Sequence, residues 1–221
     1  MLGCFVVGAM GAALLNMGPY FLTSVAVPAA QIGLLMSTIH VTRLVLQWPV
    51  GLLSDRMDRR VVIVASSVLI VVLAAVFTFV SPGGGQVFHD PSLEMRKWIK
   101  FGLFGLLGAF SVMLYSVCIA HAHDRGSSEE SVAITSTLLL VWSVGAMVGL
   151  LVLGVLIEIG GGEVIFWFTG GMAAMLATHT GWRMVHREAP EQTGRFKEVP
   201  VTSPVISELE PSPEEYGDED E

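Results

Sequence analysis

Charged residues are scarce in this chain. They make up 14% of its 221 residues, whereas 52% are hydrophobic and the mean hydropathy is +0.66. Soluble domains carry roughly 25% charged residues. The hydrophobic residues also stand in long uninterrupted runs, which is typical of bilayer-spanning segments. The composition therefore argues against a soluble globular protein and predicts an integral membrane protein.

Net acidic charge is confined to the last 34 residues of the chain. Residues 188–221 contain eleven acids and two bases, a net charge of −9, so residues 1–187 have a net charge of +1. The same 34 residues contain five prolines. This composition cannot bury a core, so it predicts a disordered acidic tail over 188–221. The acidity favours solubility or a basic partner rather than a substrate site.

Cysteines and catalytic motifs are also few. The two cysteines, Cys4 and Cys118, lie inside hydrophobic runs, which favours buried thiols over a disulfide. The spans contain no nucleophile elbow, phosphate loop or paired carboxylates, so we predict no enzyme activity, no cofactor and no nucleic-acid partner. The run Cys118-x-x-His121-x-His123-Asp124 does not have zinc-site spacing, and we predict no metal site there.

Six runs are long enough to cross a bilayer, which needs about 20 apolar residues. They predict an all-α bundle over residues 1–187 with spans near 2–23, 31–53, 61–80, 98–121, 132–157 and 164–182. Glycine and proline clusters end the third and fifth spans. The runs are too long and too uniform for β-barrel strands.

Basic residues differ between the two sets of loops. Eight stand on one side and three on the other, which predicts cytoplasmic termini in the inner (plasma) membrane by the positive-inside rule. The eight are Arg56, Arg59, Arg60, Arg125, Arg183, Arg187, Arg195 and Lys197, and the three are Arg96, Lys97 and Lys100.

The loop between the second and third spans carries a recognisable pattern. It reads Gly51-Leu52-Leu53-Ser54-Asp55-Arg56-Met57-Asp58-Arg59-Arg60, which resembles the major facilitator superfamily signature Gly-x-Leu-x-Asp-Arg-x-Gly-Arg-Arg. The resemblance implies a cytoplasmic latch that favours the outward-open state, formed by Gly51, Asp55, Arg56, Arg59 and Arg60.

Single residues of this loop carry separate expectations. Asp55 is expected to cap a helix N-terminus or to pair with an arginine. The arginines are expected to anchor the loop at the anionic leaflet. Asp58 replaces the glycine of the signature, so the tight turn is expected to change, although Asp tolerates the left-handed conformation better than most residues.

The resemblance also implies an architecture of two six-helix halves. This chain is similar to the second half of bacterial efflux-type and metabolite-type members, because its fourth span lacks an early arginine and Leu150 stands in place of a fifth-span proline. A second six-helix half is then expected as a partner, on a missing N-terminal segment or on another chain. We interpret the chain as a truncated or split gene product.

Polar residues inside the spans are the candidate substrate contacts. The first and fourth helices of each half line the cavity in this superfamily, so the resemblance implies Asn16, Tyr20 and Tyr115, with helix packing as the alternative role. Trp142 is a further candidate for the cavity or the interface between halves. It shares a face of the fifth span with Gly145 and Gly149, whose spacing predicts close helix packing.

Arg43 is the most informative of these residues. It lies near the middle of the second span, on a stripe of about 80° with His40 and Gln47. A charge at that depth is costly unless it faces water or protein. The stripe therefore predicts either a cavity or the interface between halves, and the alternative is an ion pair with an acid of the other half.

These observations predict secondary transport of a small solute by alternating access, coupled to H⁺ or another ion. Two other interpretations stay open. One is a non-transporting six-helix fragment or accessory protein that acts through its acidic tail. The other is a metal-handling membrane protein built on the segment from Cys118 to Asp124.

Overall fold

A computed structural model describes residues 1–80, 94–124 and 131–186 of the chain. These residues form six long helices, and none of them lies in a β-strand. The predicted acidic tail, residues 188–221, lies outside the described residues, as does Arg125.

The helices begin and end within four residues of the predicted spans. They are α1 (Leu2–Ser24), α2 (Ala29–Arg56), α3 (Arg59–Val80), α4 (Glu94–His123), α5 (Ser131–Gly160) and α6 (Val164–His186). Helix α1 contains one π-helical segment, Ala13–Met17, which is followed by Pro19 in the first turn of the remaining α-helix. Such π segments insert an extra residue into a turn and often occur at functional sites.

Five of the described helices, α1 to α5, are long and apolar enough to cross a membrane. Helix α6 is less apolar because it contains glycines, threonines and His179, yet it has no charged residue between Val164 and Trp182. Trp167 and Trp182 are about 60% exposed on α6 and about 22 Å apart along its axis, and tryptophan is enriched at both membrane interfaces. The chain is an all-α, multi-pass membrane protein.

Helices α1 and α4 form the centre of the bundle. They pack against each other, α5 packs on α1, α2 packs on α4, and α3 and α6 pack together across the back of the central pair. Exchanging the first three helices with the last three leaves this set of neighbours unchanged. The arrangement has the nested repeat of three plus three helices that transporter folds use.

Glycine permits the closest helix contacts. Within α5, a Cβ added at Gly145 would overlap the carbonyl oxygen of Phe5, and one added at Gly149 would lie 2.6 Å from the Cα of Ala9. The equivalent pair, α4 with α2, repeats this device, since a Cβ at Gly108 would lie 2.7 Å from the side chain of Ile39. Small residues let membrane helices approach where no hydrophobic effect drives them together.

Aromatic side chains join four helices at the end of the bundle where α1 leads into α2. Phe77 stacks on Phe166 with ring centroids 4.2 Å apart, and Phe21 meets Phe166 edge-on at 5.4 Å. Phe104 lies 6.1 Å from Phe77. This cluster fixes α1, α3, α4 and α6 relative to one another and leaves α2 and α5 as the outer helices.

Candidate functional site

The loop between α2 and α3 consists of only Met57 and Asp58. Met57 is extended, with φ −126° and ψ 162°. Asp58 then caps α3, because its Oδ1 accepts a hydrogen bond from the backbone N–H of Arg60 at 2.9 Å and its carbonyl accepts one from Val61 at 2.8 Å. Aspartate is among the preferred N-cap residues.

The substitution of glycine by Asp58 therefore has a simple structural consequence. Ala26 is the one non-glycine residue with positive φ among the described ranges, so Asp58 does not adopt the left-handed conformation, which aspartate tolerates better than most residues. Where the signature has a flexible glycine, the carboxylate of Asp58 caps the N-terminus of α3. Of the two roles expected of Asp55, the structure shows pairing with an arginine, Arg59 at 3.8 Å, and the cap of α3 is Asp58.

Arg59 is the centre of an ion-pair cluster. Its Nη1 lies 3.1 Å from Oδ1 of Asp124 at the end of α4, and its Nη2 lies 3.8 Å from Oδ1 of Asp55 in α2. The side chains of Arg59 and Asp124 are each 4% exposed, whereas that of Asp55 is 24% exposed. One guanidinium thus joins α2, α3 and α4 at the loop end of the bundle.

Two of the arginines expected at the lipid headgroups are buried in the protein. Arg60 pairs with Asp58 at 3.0 Å and is 4% exposed, like Arg59. Both guanidinium groups turn toward carboxylates of the protein. Of the loop arginines, Arg56 is the exposed one, and Gly51 is buried in the turn before it.

Asp124 is a member of the cluster that the signature pattern does not include. In the sequence it stands out only as the last residue of the weak metal candidate that begins at Cys118. In the described part of the chain, no three metal-ligating side chains lie close enough to hold an ion. His123 instead lies with its Nε2 3.0 Å from the hydroxyl of Thr135 in α5. The sequence feature that could have indicated this role is the position of Asp124, a single acid at the end of a predicted span.

The polar stripe of α2 forms the second feature. Nε of Arg43 donates a hydrogen bond to Oε1 of Gln47 at 3.2 Å. Gln47 is 8% exposed, Arg43 is half-buried and His40, one turn earlier, is exposed. The structure therefore brings Arg43 and Gln47 together on one side of the helix.

The remaining candidates fall into two groups. Tyr115 is buried, and its ring packs on Trp142 of α5 with centroids 5.7 Å apart. Asn16 lies in the π segment of α1, where its Nδ2 donates to the carbonyl of Ala12 at 2.9 Å, and Tyr20 is 57% exposed one turn later. The polar face of α1 is thus accessible, whereas Tyr115 is covered.

Comparison with known proteins assigns the family. The Major Facilitator Superfamily model matches residues 1–212 of the chain. The chain belongs to the Major Facilitator Superfamily. Among its superfamily relatives, an uncharacterized MFS-type transporter of Yersinia pestis (strain Pestoides F) is 24% identical over 188 residues, 85% of this chain and 45% of that protein.

A second relative from the same superfamily is the uncharacterized MFS-type transporter YcaD of Escherichia coli O17:K52:H18. It is 29% identical over 147 residues, 66% of this chain and 34% of that protein. The chain therefore spans less than half the length of these superfamily relatives. No solved structure matches the chain with significant similarity.

Proposed function

We propose that this chain supplies one six-helix bundle of a secondary transporter that moves a small solute by alternating access. Membership of the superfamily supports membrane transport in general, and the cluster around Arg59 carries the specific proposal. Removing two charges from water is expensive, so a buried ion pair is weak evidence of stability alone and is best attested as a register or switching device.

The two ion-pair contacts of Arg59 differ in length and exposure. The contact between Arg59 and Asp124 is short and buried, whereas Asp55 is 3.8 Å from Arg59 and partly exposed. A partly exposed carboxylate can exchange partners when another element approaches, and a partner present in one conformation shifts the equilibrium toward it. We assign the state-dependent part of the latch to Asp55.

A second six-helix half is part of this proposal. Helices α2 and α5 are the least enclosed spans, with 17% of their most apolar stretch buried, against 61% for α1 and 78% for α4. Each carries an exposed apolar stripe: Val41, Val45, Trp48 and Leu52 on α2, and Leu140, Met147, Leu151 and Val155 on α5. We propose that the other half covers these stripes, with this chain as the C-terminal half.

A pair of isosteric variants tests the proposal. In proteoliposomes of the complete transporter, Asp55→Asn should reduce solute uptake while leaving insertion and expression unchanged, because it leaves the short, buried contact between Arg59 and Asp124 in place. Asp124→Asn should instead lower thermal stability, because Arg59 would keep its buried charge without its closest carboxylate. Full uptake by a stable Asp55→Asn variant would refute the latch.

A further inference from the structure

Arg43 lies at a depth where a cation needs a partner. It is 14 residues from the start of α2 and 13 from its end, roughly 20 Å from either one. The acids of the described ranges stand far from this level along the helices. They are Asp55, Asp58 and Asp124 at the loop end, Glu94 at the start of α4, and Glu158 and Glu163 near the end of α5. The side chain is too short to reach either interface easily, so its charge must be met inside the bundle or its cavity.

The hydrogen bond to Gln47 leaves the two terminal nitrogens of the Arg43 guanidinium available to bind a ligand. Nε is the atom that Gln47 engages, and the two terminal nitrogens make no hydrogen bond or ion pair with the residues that the structure describes. Those nitrogens form the fork that binds two oxygens of a planar carboxylate. Because Gln47 is nearly buried, it can hold the plane of the guanidinium in one orientation before a ligand arrives.

The direction of Arg43 separates it from the surface that another helix would cover. At 100° per residue, Arg43, Gln47 and Ser54 lie within about 40° of one another. The apolar stripe of α2 is centred about 150° away around the helix. A protein element packed on that stripe would therefore not place a carboxylate against Arg43.

We propose that Arg43, oriented by Gln47, binds the carboxylate group of a small organic anion. This inference rests on the proposed transporter function and names its substrate class. His40, exposed one turn away on the same side, extends the polar surface toward the remainder of the ligand.

The test uses the purified chain in lipid nanodiscs and an arginine-specific reagent, phenylglyoxal, with modification at each arginine read by mass spectrometry. Benzoate and acetate should slow modification of Arg43 several-fold, whereas benzamide and acetamide should not. Arg183 near the end of α6 is the matched control, because it is half-exposed and lies outside the proposed site. The proposal would be overturned if the neutral amides protected Arg43 as well as the carboxylates do. It would also be overturned if neither benzoate nor acetate protected Arg43.

Two variants sharpen the result. Gln47→Glu places a carboxylate within reach of the guanidinium and should abolish protection by benzoate without loss of thermal stability. Gln47→Leu removes the orienting acceptor and should raise the benzoate concentration that gives half-maximal protection by about tenfold, because Arg43 is no longer held in the orientation for a bidentate contact. Benzoate protection that is unchanged in Gln47→Glu would show that the anion binds elsewhere.

Failure of this inference can be told apart from failure of the transporter proposal. If Asp55→Asn reduces uptake but no carboxylate protects Arg43, transport stands and the anionic substrate class is wrong. If benzoate protects Arg43 but Asp55→Asn leaves uptake unchanged, the anion site stands and the latch is wrong.

Discussion

At the scale of single residues, Asp58 and Asp124 show what a motif can and cannot indicate. The signature pattern located the loop and named Asp55 and Arg59, which the structure places 3.8 Å apart. It could not indicate that Asp124 would be the closer partner of Arg59, because that contact depends on how α4 is rotated against α3. It also made Asp58 a departure from the family, whereas the structure gives this residue a defined capping role.

Substitutions at Asp58 should separate capping from charge. Asp58→Ala should lower the free energy of unfolding by at least about 1 kcal/mol, because the N–H of Arg60 loses its acceptor and the buried guanidinium loses its carboxylate. Asp58→Asn should cost less, since asparagine caps about as well as aspartate and only the ion pair with Arg60 is lost. Unfolding in detergent followed by circular dichroism would measure both. Equal losses would mean that the ion pair, not the cap, stabilises the loop.

At the scale of helices, hydrophobic runs predicted the existence of all six elements and most of their length. What hydropathy could not predict is the π segment Ala13–Met17 in α1. The sequence signal for it is Pro19, which cannot donate a hydrogen bond to the carbonyl of Leu15. Glycine spacing in α5 indicated close packing but not its partner. The structure shows that the partner is α1. Gly8 of α1 packs against the backbone of Trp142 in α5, so glycines on both helices take part in the contact.

Two glycines of α5 form a matched pair for testing this packing. Gly145→Ala should destabilise the bundle by about 2 kcal/mol or more, because the new methyl group meets the backbone of Phe5, which cannot yield without separating α1 from α5. Gly154→Ala has nothing within 4 Å of the added carbon and should be neutral or stabilise the helix by up to about 1 kcal/mol. Denaturation in mixed micelles provides the comparison, and similar values for both variants would contradict the close contact between α1 and α5.

At the scale of the whole molecule, the neighbour relations of the six helices repeat between the two sets of three. This arrangement was predictable only through the family resemblance, because weak internal symmetry is not visible in hydropathy alone. The position of Arg43 was also readable from the sequence, but its bond to Gln47 and the covered state of Tyr115 were not. Those features depend on side-chain packing between helices, which a linear pattern does not encode.

Orientation in the membrane is the prediction that belongs to this scale. The loop between α2 and α3 follows two crossings and the loop between α5 and α6 follows five, so they must lie on opposite sides of the bilayer. The excess of basic residues assigns the first of these loops to the cytoplasm. Met57 is 41% exposed in that loop, and Glu163 lies in the other. Val185, 81% exposed near the end of α6, reports whether α6 crosses as well.

Single cysteines at these three positions, in a background with Cys4 and Cys118 replaced by alanine, would be treated in intact cells with a membrane-impermeant maleimide. Glu163→Cys should react at once, whereas Met57→Cys and Val185→Cys should react only after the membrane is permeabilised. The reverse pattern would invert the topology. Reaction of Val185→Cys together with Glu163→Cys would show that α6 lies along the membrane surface instead of crossing it.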